Sequence, residues 1–316
     1  MKKVLITGAG GFVGNHLIRA LKAKADVEIF AAVYQTGSDI TSLIPSDHII
    51  AGDLTDFAYT QKLMRIARPD VIYHLAALSV VHSSSSQATT VMNGNATISY
   101  NLLEAFRLDC PKSRFIAISS GNVYGAVEDT SHPIAESTPL RPLNPYGVSK
   151  VTQEMLALQY YLAYGLDIVI LRPFNHTGVG QTTDFVIPKL AEQFTQAEKG
   201  VAQSLIEVGN LDTIRDFTDV SDMVSAYLLA ADLGVSGQIY NIGSGTGHTI
   251  AEILNILQSL SHVKVEIKVK EDLVRTADVP VLIADASKFK QLTGWEPKVS
   301  LRTTISDILN NYRQTQ

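Results

Sequence analysis

The chain has 316 residues, of which 46% are hydrophobic and 18% are charged, and 26 basic against 31 acidic side chains give a formal charge of −5. The apolar content excludes a disordered chain, and the lack of basic runs argues against nucleic acid as a partner. One cysteine, Cys110, excludes an internal disulfide and a cysteine-based zinc site. No apolar run approaches the roughly 20 residues that span a bilayer, so we expect a cytoplasmic protein with no membrane contact.

In chain order, short apolar segments alternate with segments of helical periodicity. Strands are predicted at residues 4–6, 28–33, 48–53, 71–75, 114–119 and 167–171, and helices at residues 12–22, 59–67, 97–107 and 146–164. Near-continuous apolar strands joined by amphipathic helices are typical of a parallel sheet that is covered on both faces. The pattern therefore predicts an α/β fold with a doubly wound, Rossmann-type parallel sheet.

The regular alternation weakens after residue 175. The segments that follow are predicted helices at residues 188–199, 221–232 and 250–259, and a predicted strand at residues 205–208. We therefore expect a first domain of residues 1–175 and a smaller α/β lobe of residues 176–316, with some later segments returning to the first domain.

A glycine-rich loop lies between the first predicted strand and the first predicted helix. Gly8, Gly11 and Gly14 are spaced three residues apart, and Phe12 and Val13 open the helix. Glycine permits a tight turn and lets a pyrophosphate approach the backbone, while the helix N-terminus offers free N–H groups and a positive dipole end. The loop therefore predicts a dinucleotide site.

Two further positions bear on the type of dinucleotide. Asp53 and Leu54, at the end of the third strand, suit the edge of an adenine ring, although such an aspartate also caps turns. The second strand ends in Tyr34 and Gln35, where an acid would select NAD and an arginine NADP. Because no acid repels a 2′-phosphate, the sequence favours NADP(H) and leaves NAD(H) open.

A phenol and an ammonium lie four residues apart at the start of a predicted helix. Tyr146 and Lys150 therefore share one helix face, where the lysine charge favours the phenolate of a residue whose ordinary pKa is about 10. Ser120, after the fifth strand, is placed to hold a substrate carbonyl by a hydrogen bond. The three residues predict hydride transfer with one proton delivery, whereas the tyrosine and lysine alone would fit a solvated helix pair.

Together these motifs resemble the nucleotide-sugar branch of the extended short-chain dehydrogenase/reductase family. The resemblance covers nearly the whole chain and rests on the glycine loop, on Asn95, and on residues 74–77, 119–125, 144–150, 172–175 and 215–217. It implies that Ser120, Tyr146 and Lys150 carry the catalytic roles. It also implies that Ala76 and Ala77 join the cofactor site.

The same resemblance assigns a nucleotide sugar to the C-terminal lobe. Arginine binds phosphate oxygens through two N–H groups, which suits a diphosphate. The substrate-binding residues that it implies are Ser79, Asn122, Asn175, Arg215, Arg275 and Asp278.

Position 122 discriminates among the reactions of this branch. By resemblance, a 4,6-dehydratase needs a glutamate there as an additional acid/base, and a fucose-synthase type of enzyme carries a cysteine there and a histidine at position 185. This chain has Asn122 and Phe185, and an amide does not exchange a proton near neutral pH. The resemblance then favours reduction of GDP-4-keto-6-deoxy-D-mannose to GDP-D-rhamnose, with Tyr146 as the proton donor.

Three alternatives stay open. A nucleotide-sugar 4-epimerase of the UDP-glucose type uses the same serine, tyrosine and lysine, and a GDP-mannose 4,6-dehydratase shares the fold. A dinucleotide-sensing protein that performs no chemistry is the third alternative, and it is disfavoured because Tyr146 and Lys150 are both present.

The resemblance also implies a homodimer. Family members pair the helices that correspond to residues 97–107 and 146–164 with those of a second subunit. We expect apolar residues of the second helix to be exposed for this purpose, although they could line the core of one subunit instead. These residues are Leu156, Leu158, Tyr160 and Tyr161.

Overall fold

Parallel strands and helices alternate along most of the chain. The structure is a computed structural model, and it describes residues 1–35, 39–79, 85–201, 205–270 and 279–315. In these residues the strands are β1 Lys2–Thr7, β2 Val27–Val33, β3 Ile49–Ala51, β4 Val71–His74, β5 Arg114–Ile118, β6 Asp167–Pro173, β7 Asn175–Thr177, β8 Leu205–Val208, β9 Ile214–Asp219, β10 Ile239–Ile242, β11 Gly247–Thr249, β12 Glu266–Val269 and β13 Val281–Leu282. The α-helices are α1 Phe12–Lys22, α2 Phe57–Ala67, α3 Ser85–Asp109, α4 Pro145–Tyr164, α5 Val186–Glu198, α6 Val220–Leu233, α7 Ile250–Leu260, α8 Ser287–Thr293 and α9 Leu301–Thr315.

The main sheet has the strand order β10–β6–β5–β4–β1–β2–β3, and each of these pairings is parallel. Both of its faces are covered, because successive residues of a strand point to opposite sides. In β1, Ile6 joins the apolar cluster formed with α1 and α6, and Leu5 joins the cluster formed with α2, α3 and α4. The prediction of a doubly wound parallel α/β sheet is confirmed.

A smaller lobe is built from later segments. Strand β9 pairs with β7 and β13 in parallel and with β11 antiparallel, and β8 pairs with β12. Helices α5, α7 and α9 pack together around Phe194, Leu257 and Ile308. Not all later residues belong to this lobe, since β10 extends the main sheet and α6 covers one of its faces.

Most predicted elements of the first half agree with the structure to within two residues. The helix predicted at residues 97–107 is longer and begins at Ser85, and β3 is shorter than the strand predicted at residues 48–53. In the second half, strands β7 and β9 to β13 and helices α8 and α9 were not predicted. No helix in the described part of the chain combines the length and the apolar character needed to cross a membrane.

The exposed face of α4 differs from the one predicted. Tyr160 is buried, and its hydroxyl donates a hydrogen bond to the Glu104 carboxylate, so its predicted exposure is wrong. Leu156 and Tyr161 are partly buried against the core. Leu158 is also partly buried, and the large exposed apolar and aromatic side chains of α4 are instead Val148, Met155, Leu162 and Tyr164.

The strand order places the ends of several strands at one edge. The sheet runs outward in opposite directions from the boundary between β1 and β4, and in open α/β sheets ligands bind at such a switch point, beyond the carboxyl ends of the strands. Gly8 follows β1, Ala76 follows β4 and Ser120 follows β5. The residues of the predicted motifs therefore converge at this edge.

Candidate active site

A cleft of about 580 Å³ lies at the carboxyl edge of the main sheet. The glycine loop borders one part of it, and residues that follow β5 and β6 border another. Most of the predicted cofactor, catalytic and substrate residues line it: Gly8, Gly11, Phe12, Val13, Gly14, Ala76, Ala77, Ser79, Ser120, Asn122, Tyr146, Lys150 and Asn175.

The glycine loop fits a bound pyrophosphate. Gly8 has a φ of +68°, and a Cβ atom at this position would lie 2.8 Å from the backbone nitrogen of Ala76, so the chains can approach this closely only at a glycine. Gly11 is the N-cap of α1, and neither a side-chain cap nor an acidic residue occupies the first turn of that helix. Its N–H groups and positive dipole end are therefore available to an anion.

Local structure at the start of α4 fixes Tyr146. The Asn144 side chain accepts a hydrogen bond from Gly147 N at 2.7 Å and caps the helix, and Pro145 occupies its first turn. A Cβ atom at Gly147 would lie 2.8 Å from the Asn122 carbonyl oxygen, so glycine lets the helix approach the loop after β5. This approach brings Tyr146 beside Ser120.

Ser120 and Asn122 form one hydrogen-bonded unit. The Ser120 Oγ accepts hydrogen bonds from the backbone nitrogen and from the Nδ2 of Asn122, each at 3.1 Å. A hydroxyl oxygen that accepts two bonds still has its own proton to donate. Ser120 also interacts with the Tyr146 hydroxyl, and this interaction partly opposes the rise that burial imposes on the pKa of Tyr146. Asn122 therefore orients the serine and leaves its proton for the tyrosine or for a ligand.

Two hydrogen bonds fix the Lys150 ammonium at the wall of the cleft. It is 2% exposed, and its Nζ donates to the Ile118 carbonyl at 2.7 Å and to the Gln153 Oε1 at 2.8 Å. The Gln153 Nε2 donates to the same carbonyl at 3.2 Å. The Nζ atom lies 5.8 Å from the centre of the Tyr146 ring. Since an ammonium has three N–H groups, one of them is left for a ligand in the cleft.

Burial dominates the electrostatics of this group. It raises the pKa of Tyr146 to about 12, and it lowers the pKa of Lys150 to about 7 although the Glu154 carboxylate acts in the opposite direction. In the protein alone, the phenol is thus less acidic than usual, contrary to the effect expected from Lys150. A neutral phenol is the form that donates a proton, so this state suits reduction of a carbonyl.

A buried ion pair fixes α4 against the sheet. The Arg172 Nη2 and the Glu154 Oε2 are 2.6 Å apart, and both side chains are buried. Ser119 also donates a hydrogen bond to Glu154, and Arg172 donates to the Tyr124 hydroxyl at 2.9 Å. Removal of one partner from such a pair leaves an uncompensated buried charge. The pair therefore secures the helix that carries Tyr146 and Lys150 on β6, the neighbour of the strand that leads into Ser120.

His176 lines the cleft in a structural role. Its ring stacks on that of Phe12, with centroids 6.3 Å apart and planes inclined by 7°, and its Nδ1 lies 3.0 Å from the Phe174 carbonyl oxygen. Burial lowers the pKa of His176, so the ring is neutral. The contact links the glycine-loop helix to the segment that carries Asn175.

Some predicted residues do not join the cleft. Of the described residues, Asp53, Leu54 and Arg215 are not among those that line it. The Asp53 carboxylate accepts a hydrogen bond from Thr55 N at 2.8 Å, as a turn aspartate does, and Leu54 is buried in the core. The Arg215 Nη1 donates to the carbonyl of Ile214 at 2.9 Å. Arg275 and Asp278 lie outside the described residues.

Gln153 and Tyr227 are among the site residues that escaped prediction. Gln153 follows Lys150 by three residues, and this spacing on a helix could have placed it on the lysine face. Tyr227 lies on α6 and lines the cleft beside Tyr146, but its helical spacing is that of a core residue. Only the packing of α6 beneath the sheet reveals its position.

Known proteins resemble the chain over almost its full length. A protein-family model for GDP-mannose 4,6 dehydratase matches residues 5–308. The GDP-6-deoxy-D-mannose reductase of Pseudomonas aeruginosa is 31% identical over 98% of this chain and 97% of its own length. The GDP-6-deoxy-D-talose 4-dehydrogenase of Aggregatibacter actinomycetemcomitans is 31% identical over 98% and 97%.

The fold gives the same result. The solved structure of RMD from Pseudomonas aeruginosa complexed with NADPH has a TM-score of 0.87 and 30% identity, over 99% of each chain. The resemblance drawn from the motifs is thereby confirmed. The chain belongs to the GDP-mannose 4,6 dehydratase family, in the nucleotide-sugar branch of the extended short-chain dehydrogenases/reductases.

Proposed function

We propose that the protein reduces the 4-keto group of GDP-4-keto-6-deoxy-D-mannose to give GDP-D-rhamnose, with NADPH as the preferred cofactor and NADH as a second one. Family membership makes it an NAD(P)-dependent oxidoreductase of nucleotide sugars. Tyr34 and Gln35 line the cleft at the end of β2 and carry no charge that would repel a 2′-phosphate.

The observation that carries the proposal is the unit of Ser120, Asn122 and Tyr146. Elimination of a hydroxyl needs a further side chain that removes a proton from carbon. The Asn122 amide cannot do so, and it donates a hydrogen bond to the Ser120 Oγ instead. The group can hold a carbonyl and deliver one proton, which is the requirement of a keto-reduction.

The described residues divide the work as follows. A bound reduced dinucleotide supplies the hydride. Ser120 donates a hydrogen bond to the carbonyl oxygen, and Tyr146 transfers its proton to that oxygen, where it forms the new O–H bond. The tyrosine is then a phenolate, which the Lys150 ammonium stabilises until a proton from solvent replaces the one lost. Asn175 borders the same cleft and is proposed to contact the nucleotide sugar together with Ser79.

The two curated relatives support a common substrate. Mannose and talose differ only in configuration at C4, so oxidation of a GDP-6-deoxy-D-talose at that carbon and reduction to a GDP-6-deoxy-D-mannose involve the same 4-keto sugar. The second candidate function is therefore formation of GDP-6-deoxy-D-talose by hydride delivery to the opposite face. A UDP-glucose 4-epimerase would use the same three catalytic residues and needs no net reductant.

One assay tests the proposal. The purified protein is incubated with GDP-4-keto-6-deoxy-D-mannose and either NADPH or NADH, loss of the reduced cofactor is followed by absorbance, and the configuration at C4 of the product is read by NMR. We expect cofactor oxidation and GDP-D-rhamnose. No oxidation with either cofactor would contradict the proposal, a talo product would support the second candidate, and interconversion of UDP-glucose without added reductant would support the epimerase.

A further inference from the structure

Tyr227, on α6, is a buried phenol at the edge of the cleft. It is 1% exposed, it belongs to the apolar cluster beneath the main sheet, and it lines the cleft. Among the described residues, no group forms a hydrogen bond with its hydroxyl. The buried Tyr124, by contrast, donates to the Asn241 Oδ1 at 2.6 Å. A tyrosine hydroxyl in the wall of a cleft normally finds a hydrogen-bond partner, so this one is left for a group bound in the cleft.

Tyr227 interacts electrostatically with Tyr146, and both residues line the cleft. A negative charge on Tyr146 would raise the pKa of Tyr227 further above the elevated level that burial imposes. Tyr227 is thus a neutral phenol that has a proton to donate. Its electrostatic partner is Tyr146 and not a residue of the glycine loop, where the pyrophosphate is expected.

We propose that the Tyr227 hydroxyl donates a hydrogen bond to the carboxamide carbonyl of the nicotinamide ring. A group bound beside Tyr146 must present the ring that carries the hydride, and the carboxamide is the only polar substituent of that ring. Tyr227 then acts as a positioning residue, since it orients the ring from α6 without taking part in the transfer. The inference rests on the dinucleotide cofactor proposed above, and it does not depend on the identity of the sugar.

The experiment measures binding by fluorescence or calorimetric titration of the full chain. The probes are NADPH and 2′-phospho-ADP-ribose, which lacks the nicotinamide ring; NADH and ADP-ribose replace them where NADH binds more tightly. Tyr227→Phe should weaken the dinucleotide about 3- to 10-fold, the range for one net hydrogen bond, and should leave the affinity for the ribose fragment unchanged.

Tyr73→Phe is the matched control. Tyr73 lies on β4 in the same apolar cluster but does not line the cleft, and its pKa is raised by burial and then by the Asp232 carboxylate, not by Tyr146. The substitution removes the same atom from the same core. Both variants should keep the wild-type melting temperature within a few degrees, and Tyr73→Phe should bind both probes like the wild type.

A third probe tests the direction of the bond. The 3-acetylpyridine analogue of the dinucleotide keeps the ring carbonyl and lacks the amide N–H groups. Tyr227→Phe should weaken this analogue by the same factor as the natural dinucleotide.

Each other result is decisive. Equal weakening of the fragment, or no weakening of the dinucleotide, would overturn the role of Tyr227. Weakening of the natural dinucleotide but not of the analogue would show that the hydroxyl accepts from the amide, and would also overturn it. Failure of the wild type to bind any dinucleotide would instead contradict the proposed function.

Discussion

The two sides of the cleft are assembled in different ways. On the main-sheet side, the glycine loop joins β1 directly to α1, and Tyr146 and Lys150 share one turn of α4. On the side of the smaller lobe, the framework comes from segments far apart in sequence. The buried Asp216 carboxylate joins them, because it accepts hydrogen bonds from the backbone nitrogens of Ser244 and Gly245 at 2.9 Å and of Ala284 at 3.2 Å.

This difference separates chemistry from selectivity. The residues proposed to transfer and stabilise the proton lie within short motifs. Local helix geometry therefore fixes their relative positions, whatever the rest of the chain does. The residues that we propose to contact the sugar depend on the packing of β7, β9 and β13, which brings Asn175 and Leu282 to the same cleft. Substitutions on the two sides should therefore affect different kinetic constants.

The largest effect is expected for Tyr146→Phe. Loss of the phenolic proton should lower kcat by roughly 10²- to 10⁴-fold, the usual contribution of a positioned general acid. Cofactor affinity should stay close to that of the wild type, because the ring is retained. Steady-state kinetics and dinucleotide titration measure the two quantities. The control is Tyr164→Phe, at the end of the same helix and 51% exposed, and turnover by Tyr146→Phe at the control's rate would contradict the proton-donor role.

The next largest effect is expected for Gly8→Ala. The αL backbone at this position costs a non-glycine residue about 1–2 kcal/mol, and the contact with Ala76 at 2.8 Å adds overpacking of roughly 1–3 kcal/mol. The free energy of unfolding should fall accordingly and dinucleotide binding should be lost. Gly165→Ala separates the two causes, since Gly165 has a φ of +66° with no atom near its Cβ. Equal loss of stability in the two variants would argue against the close approach.

The sequence predicts the main-sheet side well because its signals are local. A strand, a glycine turn and a helix lie together within residues 1–22, and the Tyr146–Lys150 spacing fixes their common face. Local spacing does not, however, predict which side chains of α4 are exposed to solvent. Val148, Met155 and Leu162 repeat every seven residues, and the neighbouring aromatic residues hide that repeat in the sequence.

The smaller lobe could not be predicted to the same extent. Strand β9 carries two charged residues, Arg215 and Asp216, between apolar ones, and this pattern does not predict a buried strand. The Asp216 carboxylate can be buried only because a distant segment supplies its hydrogen-bond donors. The arginine of β9 donates to a carbonyl of its own strand, so a motif that resembles a substrate contact has a structural partner here. Long-range pairing, not local spacing, decides these roles.

A moderate effect is expected for Asn175→Ala, on the side of the smaller lobe. Loss of one polar contact to the nucleotide sugar should raise KM about 5- to 10-fold and leave kcat nearly unchanged, because Asn175 lies on β7 and not on the turn of α4 that carries the proton donor. Asn93→Ala, on the exposed face of α3, is the control. A fall in kcat without a change in KM would place Asn175 with the catalytic group and would contradict the division between the two sides.

A smaller effect is expected for the pH profile. Lys150, with a pKa of about 7, is an ammonium below that pH, so kcat/KM for reduction should be full at lower pH and fall as the pH rises through about 7. Gln153→Leu should move this alkaline fall in kcat/KM, the alkaline limb of the profile, to lower pH by about one unit. The lost hydrogen bond stabilises the charged form of Lys150, and a hydrogen bond to a charged group contributes roughly 1.5 kcal/mol or more. The charges that face Lys150 are those of Glu154 and, when protonated, His74.

Gln153→Glu tests the sign of that shift. A carboxylate in place of the amide should hold the proton on Lys150 more firmly and move the limb to higher pH. Opposite shifts in the two variants cannot come from a general loss of structure. Profiles that coincide with that of the wild type would show that the lysine does not control the alkaline limb.

The smallest effect on turnover is expected from the outer face of α3 and α4. We propose that this face forms a homodimer, since Tyr100, Met155 and Leu162 are 50%, 46% and 71% exposed there.

A double substitution of Met155→Glu and Leu162→Glu should convert the dimer to a monomer in sedimentation velocity at micromolar concentration. The control Val235→Glu, at a residue that is 50% exposed on another part of the surface, should leave the dimer intact. Tyr100, Met155 and Leu162 do not line the cleft, so kcat should change less than about twofold. A wild-type protein that sediments as a monomer would contradict the dimer, and a large loss of turnover on dissociation would show that the main-sheet side depends on its partner.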